Sequence, residues 1–178
     1  MRDIIRFRFA PAKAHAAIRL MLDSTVEIDL HALLKACYFA DKQHLNKHGR
    51  PIFGATYRAM RFGPVPLEIY EMAKGESLWL AEMNADKFPW QMVGFHIRLD
   101  DNKPVNLKPL SRTDQYEILA GFAKSEGMTF NERTAATHGP DWEAANLGIM
   151  RYEDMIEEGP AKDELIAYLR EAGPVMKL

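Results

Sequence analysis

The spacing of two histidines is the first feature of this chain that could do chemistry. His44 and His48 stand four residues apart, so on a helix both imidazoles face the same side, as paired zinc ligands do. Leu45 follows His44 at the position where a zinc peptidase of this pattern has its glutamate general base, and no third ligand has a recognisable spacing. The pattern favours solvated histidines near a helix end, and we expect no metal site.

A third histidine, His138, lies in the run Thr-His-Gly-Pro at 137–140. It is the best single candidate for a general acid or base, but the proline that follows starts a helix, which favours helix capping over catalysis. The alternative from another functional class is a metal-dependent hydrolase that uses His44, His48 and His138. That alternative predicts bound zinc or iron, and loss of activity without loss of folding when a histidine is replaced.

Other catalytic signatures are missing from the sequence. Cys37 is the one cysteine and falls among apolar residues at helical spacing, where a thiol behaves as a small core side chain. No serine stands in a Gly-x-Ser-x-Gly turn, and the chain has neither a phosphate-binding P-loop nor a Gly-x-Gly-x-x-Gly dinucleotide motif. The sequence therefore presents no recognisable catalytic motif, and we expect no cofactor.

One carboxylate, Asp41, stands where it requires a partner. It shares a helical stripe with Leu34 and Leu45, which points its side chain at protein, and a buried carboxylate needs an ion pair or hydrogen bonds. Three arginines of the segment 49–66 could return across the helix to pair with it: Arg50, Arg58 and Arg61. The alternative places Asp41 at the solvent edge, where it does nothing.

The elements that must position these residues are mostly helices. Helical spacing predicts a first helix over 11–23 and a second over 30–48, which Asp29 caps and Gly49 ends. The middle of the second helix is apolar on all sides, so we expect it to run through the core. Further helices are predicted over 67–74, 111–127, 129–137, 140–147, 152–158 and 160–172.

Strand patterns are few. Residues 93–99 alternate, with Phe95, Ile97 and Leu99 on the face expected to be buried. A short turn then leads to a second run at 104–110, and together the two runs predict a hairpin.

The helix that begins at Ser111 has one apolar stripe, which we expect to face the core. The stripe consists of Tyr116, Leu119, Ala120 and Ala123. The predicted fold class is mainly α (α+β): a single helical domain over residues 1–178 with a small antiparallel β-hairpin or sheet.

Composition limits the class of protein further. The chain has 178 residues, a formal net charge of −2, 47% hydrophobic and 27% charged residues, which is typical of a globular domain. Residues 1–63 carry 11 Lys and Arg against 5 Asp and Glu, whereas residues 64–178 carry 12 against 20. These charges balance within one domain, or the basic half meets an acidic partner. A near-neutral total and the lack of a recognition helix argue against nucleic-acid binding.

Compartment follows from two absences in the sequence. Residues 1–9 contain no continuous apolar run, and no stretch reaches the ~18 apolar residues of a transmembrane helix, so we expect neither a signal peptide nor a membrane partner. A single cysteine cannot form an internal disulfide and fits a reducing, cytoplasmic location.

An ordered series of residues over about 35–70 resembles a known family. The series is Lys35-Ala-Cys-Tyr-Phe-Ala-Asp41, His44-Leu45, Gly49-Arg50-Pro51-Ile52, Gly54, Tyr57, Ala59, Gly63-Pro64-Val65-Pro66 and Tyr70. It is similar to the SocA-like antitoxin family, also called the Panacea domain, and a looser likeness extends over about 10–150. The motif positions to which we assign structural roles are Asp41, Arg50, Tyr57, Gly63, His138 and Trp142.

The resemblance implies a mainly helical domain with a small antiparallel sheet that acts as the antitoxin of a bacterial or prophage toxin–antitoxin system on a mobile element. It implies no enzymatic activity, and a protein toxin as the partner. Neutralisation in such a family is by direct binding, or by a proteolytic adaptor that delivers the toxin to an AAA+ protease. Residues 151–178 form a predicted C-terminal helical extension to which nothing carries over, and a homodimer is a further candidate assembly.

The glycine and proline turn of this series predicts a partner-binding surface. A rigid turn loses little entropy on docking, and arginine and aromatic side chains dominate interface hot spots. We expect the toxin to contact Arg58, Arg61, Phe62, Pro64, Val65, Pro66 and Tyr70. The alternative is that the same turn packs inward as part of the core.

Overall fold

A computed structural model describes residues 4–178; residues 1–3, the start of the segment expected to lack a signal peptide, lie outside the described residues. Within residues 4–178 the chain forms nine α-helices and five short strands. The helices are α1 (Pro11–Asp23), α2 (Leu30–His48), α3 (Leu67–Ala73), α4 (Ser77–Glu82), α5 (Arg112–Glu126), α6 (Phe130–Thr137), α7 (Pro140–Ala145), α8 (Tyr152–Met155) and α9 (Lys162–Ala172). The strands are β1 (Glu27–Asp29), β2 (Tyr57–Met60), β3 (Gly63–Pro66), β4 (Trp90–Val93) and β5 (His96–Leu99). The predicted mainly α class with a small antiparallel sheet is confirmed.

Helix α2 runs through the core, as predicted. The Asp29 side chain accepts the backbone N–H of Ala32 at 3.0 Å and so caps the helix. At the other end Gly49 adopts φ +71° and its N–H donates to the Leu45 carbonyl. Every residue from Ala32 to Asp41 is buried, so this part of the helix touches protein on all sides.

Helix α5 packs along α2, but through a different face from the predicted one. The buried residues of α5 are Asp114, Glu117, Ile118, Gly121, Phe122 and Ser125. The predicted stripe is wrong, because its members are solvent-exposed: Tyr116, Leu119, Ala120 and Ala123. Three of the buried residues are polar and paired, Asp114 with Lys13, Glu117 with Lys47, and Ser125 with the Ala32 carbonyl. Apolar spacing alone therefore selected the wrong side of the helix.

A three-stranded antiparallel sheet has the order β1-β5-β4. Ile97 lies at its centre, opposite Ile28 on one side and Met92 on the other, and is fully buried as predicted. The predicted strand over 93–99 is wrong in extent, because Gly94 (φ +62°) and Phe95 form a tight turn between β4 and β5.

The predicted pairing with 104–110 is also wrong, since these residues form no strand. Pro104 and Pro109 have no N–H to donate to a ladder, whereas the turn at Gly94 lets 90–93 pair with 96–99.

Strands β2 and β3 form a separate two-stranded hairpin, with Arg58 opposite Val65 and Met60 opposite Gly63. Sequence analysis treats 63–66 as a turn, but the structure places it in the second strand. On the outer side of β2, Arg58 forms an isolated antiparallel bridge with Ile149. The hairpin is therefore supported from a distant part of the chain.

The predicted helices of the second half are present but shorter than expected, since α7 ends at Ala145, α8 ends at Met155 and α9 begins at Lys162. Helix α4 was not predicted. Within the C-terminal extension, Glu153 accepts the Ile5 backbone N–H at 3.0 Å, and Gly173 lies directly against the Arg6 carbonyl. The extension thus packs on the N-terminal segment.

Among residues 4–178, none of the helices is both long and apolar enough to cross a bilayer.

Candidate functional site

Asp41 organises the segment that leads from α2 into the hairpin. Its carboxylate is fully buried and accepts the backbone N–H groups of Ile52 and Phe53 at 2.6 and 3.0 Å. The Tyr57 hydroxyl donates to the same carboxylate at 2.8 Å. Burial raises the pKa of Asp41 to about 6, against the opposing effect of these three hydrogen bonds. These hydrogen bonds hold the segment that follows Gly49 against α2.

The predicted arginine partner of Asp41 is wrong, as is the alternative of an idle residue at the solvent edge. Two backbone N–H groups and a tyrosine hydroxyl fill the place intended for Arg50, Arg58 or Arg61. Backbone donors satisfy a buried carboxylate without a second buried charge, which avoids the cost of taking a guanidinium out of water.

Arg50 instead pairs with Asp114, at 2.9 Å, where α5 begins. Lys13 of α1 contacts the other oxygen of this carboxylate at 2.7 Å. His44 Nε2 lies 3.2 Å from the oxygen that Arg50 contacts. Burial alone would raise the pKa of Asp114, but hydrogen bonds from Lys13 and from the Ser111 backbone outweigh it, so the pKa is lowered. This cluster ties α1, α2 and α5 together.

Two side chains of α2 hold the open edge of the hairpin. The Lys35 ammonium donates to the Pro64 carbonyl at 2.7 Å, and His31 Nε2 lies 3.1 Å from the Phe62 carbonyl. Arg133 Nε donates to His31 Nδ1 at 3.1 Å, so Nδ1 accepts and Nε2 carries the proton that it donates to Phe62. We call these contacts the hairpin clamp.

Burial sets the protonation of the clamp. It lowers the pKa of His31 to about 4, with a further contribution from the nearby Lys35 charge, so the imidazole is neutral at pH 7. Burial likewise lowers the pKa of Lys35 to about 7, and Arg133 adds to the effect. The hairpin is thus held by hydrogen bonds from groups that have lost most of their contact with water.

Gly63 is required by the same contacts. Its φ of +104° is a conformation that side chains other than glycine rarely adopt. A Cβ at this position would overlap Thr137 Oγ1 and lie 2.8 Å from Lys35 Cε. The Gly-Pro-Val-Pro run therefore provides a close approach to α2 and a carbonyl, that of Pro64, for Lys35.

Beside the clamp lies an open, mainly apolar depression of about 690 Å³, which we call the groove. Its lining comes from the start of α2, the β2–β3 hairpin, α3, the β4–β5 turn and α6. The lining residues are Asp29, Leu30, His31, Leu34, Lys35, Met60, Arg61, Phe62, Gly63, Val65, Tyr70, Phe95, His96 and Phe130. Its volume falls in the usual range of ligand pockets, roughly 300–1,000 Å³.

The residues expected to contact a partner divide into three groups by exposure. Those exposed are Arg58, Arg61 and Phe62; those half-buried are Val65 and Tyr70; those buried are Pro64 and Pro66. Four of them meet in the groove, namely Arg61, Phe62, Val65 and Tyr70. Arg58 projects from the exposed face of β2, outside the groove lining.

Sequence analysis missed the groove residues that other elements contribute. Phe95, expected to be buried in a strand, is 80% exposed at the tip of the β4–β5 turn. Phe130 stacks on His31 at 4.1 Å between ring centroids and meets Phe62 edge-on at 5.1 Å. The glycine before Phe95 is the one local signal that could have indicated a turn there.

The histidines of the hydrolase alternative lie in two places: His44 and His48 are adjacent, with ring centroids 4.5 Å apart, whereas His138 stacks on Trp142. The expectation of a solvated imidazole is wrong for His44, which is fully buried. His44 Nδ1 lies 2.8 Å from the Arg50 carbonyl and Nε2 lies 2.9 Å from the Thr113 hydroxyl, so both ring nitrogens have protein partners. Within residues 4–178 no three His, Cys, Asp or Glu side chains are grouped to hold a metal ion. Cys37 is buried as predicted, and burial raises the pKa of its thiol, which disfavours the nucleophilic thiolate.

His138 and Trp142 support the hairpin from its other side. Their rings stack at 3.7 Å, and the Trp142 indole N–H donates to the Met60 carbonyl at 2.9 Å. Trp142 thus links α7 to β2. The predicted capping role of His138 is wrong, because no side chain of residues 4–178 caps the start of α7, and its ring packs on Trp142 instead.

Comparison with known proteins agrees with the ordered series of residues in the sequence. The family model described as antitoxin SocA-like, Panacea domain, matches residues 33–143, a range that includes most of α2, the hairpin and α5. No curated protein and no solved structure matches the chain.

Proposed function

Because the chain belongs to the SocA-like antitoxin family, Panacea domain, we propose that it neutralises a cognate protein toxin by direct contact through the groove and the adjoining face of β2. The family is one of antitoxins, which supports a binding role rather than catalysis. The observation that carries the proposal is an exposed arginine and an exposed aromatic ring, Arg61 and Phe62, on a clamped hairpin, with the exposed rings of Phe95 and Phe130 lining the same groove.

This arrangement has the chemistry of an interface. Arg61 lies over the Phe62 ring at 5.2 Å, and both side chains reach solvent. Arginine and aromatic side chains are the types that dominate binding energy at protein interfaces. The clamp fixes the backbone that presents them, so docking orders few additional bonds and loses little entropy.

The setting we propose is a bacterial cytoplasm in which the toxin is encoded by the neighbouring gene on a prophage or other mobile element. Co-expression of the chain with that gene tests the proposal, with growth rescue and co-purification scored together. We expect rescue and a stable complex.

Charge reversal on the surface sharpens the test. We expect the double variant Arg58→Glu, Arg61→Glu to lose both rescue and complex, and Arg112→Glu, an exposed reversal on α5, to retain both. Retention of both by the double variant would remove this surface from the proposal. Rescue without a complex that depends on a cellular AAA+ protease would indicate a proteolytic adaptor instead.

A further inference from the structure

The groove concentrates apolar side chains that the described chain leaves uncovered. Met60 and Phe62 are 45% and 46% exposed, Phe130 is 41% exposed and Phe95 is 80% exposed. They come from the β2–β3 hairpin, the β4–β5 turn and α6, which are three separate parts of the sequence that converge on one depression. A contiguous apolar patch of this kind marks an interaction site more often than scattered exposed residues do.

The walls of the groove are fixed before any partner arrives. Lys35 and His31 hold the Pro64 and Phe62 carbonyls, and Arg133 donates to His31 and to the Ser125 and Met128 carbonyls. The Phe130 ring is stacked on His31, which fixes the aromatic wall. A ligand therefore meets preformed aromatic surfaces.

Charge around the groove is unbalanced toward the positive. Among the described residues, Asp29 is the one carboxylate in the lining, and its oxygen already accepts the Ala32 N–H and faces Arg133 at 3.5 Å. Arg61, by contrast, has no ion-pair or hydrogen-bond partner within residues 4–178 and rests on the Phe62 ring. An apolar surface beside a free guanidinium complements a ligand that is both apolar and anionic.

We propose that the groove receives a segment of the toxin that combines an aromatic or aliphatic side chain with a carboxylate. The apolar side chain lies among Phe62, Phe95 and Phe130, and the carboxylate pairs with Arg61. This inference rests on the proposed function for the identity of the partner, but the chemistry of the groove can be measured without the toxin.

Two small probes of the same ring system separate the apolar and anionic parts of the proposal. The first is 8-anilinonaphthalene-1-sulfonate, an apolar anion, and the second is the neutral N-phenyl-1-naphthylamine. With the full-length chain we expect saturable fluorescence enhancement by both probes. Arg61→Glu is expected to weaken binding of the anion by about tenfold and of the neutral probe by less than about twofold, whereas Arg61→Lys retains most of the anion affinity.

Matched variants locate the probes. Phe95→Ser removes an exposed ring and is expected to weaken both probes without changing the circular dichroism spectrum. Leu119→Ala removes an exposed apolar side chain on α5, outside the groove, and is expected to change neither. An Arg61→Glu effect equal for both probes would overturn the anionic part, and indifference of both probes to Phe95→Ser would overturn the groove as the site.

The toxin experiment is read separately. If the wild-type chain fails to rescue growth, the proposed function fails while the probe results stand. If it rescues and forms a complex that Arg61→Glu and Phe95→Ser leave intact, the function stands and this inference fails. A wild-type chain that elutes as a dimer, and becomes monomeric with Phe95→Ser, would show that a second copy occupies the groove and would also overturn it.

Discussion

At the scale of single residues, Asp41 is satisfied by three hydrogen bonds and not by the ion pair expected from the sequence. Sequence reasoning located this carboxylate and its purpose, since burial could be inferred from helical spacing. It could not find the partners, because two of them are backbone N–H groups, which every residue of the following segment except proline has. Such a choice depends on how the chain turns after Gly49.

Replacing Asp41 should be costly for stability. Asp41→Ala leaves the Ile52 and Phe53 N–H groups and the Tyr57 hydroxyl unpaired in a buried site, and we expect a loss of about 3 kcal/mol or more in the free energy of unfolding. Tyr57→Phe removes one donor and should cost about 1–2 kcal/mol. Urea unfolding measures both; equal losses for the two variants would contradict this account.

Lys35 gives a pH dependence with a definite sign. Burial lowers its pKa to about 7 in the folded state from 10.5, so between these values the unfolded chain binds more protons and stability rises with pH. The wild type should gain stability relative to Lys35→Met as pH increases from 7 to 9.5, because methionine at position 35 has no titratable group. Urea unfolding at both pH values gives the free energy of unfolding of the wild type minus that of the variant. A value that stays constant or falls between pH 7 and 9.5 would contradict the prediction.

At the scale of elements, the sequence was sufficient to predict the helix caps but not the faces through which the helices pack. Asp29 and Gly49 delimit α2, and the Ser111 capping box begins α5, because capping depends on neighbours three or four residues away. The buried face of α5 depends on α1 and α2, which supply partners for Asp114 and Glu117. Those partners lie far away in sequence, so local periodicity could not reveal them.

Helix α5 approaches α2 closely at Gly121. A Cβ there would lie 2.7 Å from the Ala36 carbonyl and 3.0 Å from the Ala40 nitrogen. Alanine normally stabilises a helix relative to glycine by about 0.5–1 kcal/mol, but Gly121→Ala should destabilise the protein by about 1–3 kcal/mol, because the two helices must separate.

Thermal unfolding measures this reversal of sign. Gly159→Ala is the matched control, since a Cβ at Gly159 meets no atom within 4 Å, and it should be nearly neutral. A stabilised Gly121→Ala variant would show that the helices do not approach this closely.

At the scale of the whole molecule, residues 151–178 share the hydrophobic core with the family region. Tyr152, Met155 and Leu169 are buried, and Leu169 is completely so. Nothing in the resemblance covers these residues, and their helical spacing alone does not tell what they cover. The structure places them over the N-terminal segment, which could not be inferred from either end of the sequence.

If the chain is one cooperative unit, a core change in the extension should destabilise all of it. Leu169→Ala is expected to cost about 2–5 kcal/mol, and Leu78→Ala, at a site 58% exposed, less than about 0.5 kcal/mol. Circular dichroism and tryptophan fluorescence should report a single, coincident transition for each. Separate transitions for Leu169→Ala would indicate an extension that unfolds independently.

The hairpin clamp has a consequence for how recognition can change over evolution. His31, Lys35 and Gly63 hold the backbone from within, whereas Arg58, Arg61 and Phe95 project outward and hold up nothing in the core. Substitutions at such outward positions usually change stability by less than about 0.5 kcal/mol. Under the proposed function, substitutions at these exposed positions can therefore alter which toxin is bound while the clamped backbone beneath them keeps its conformation.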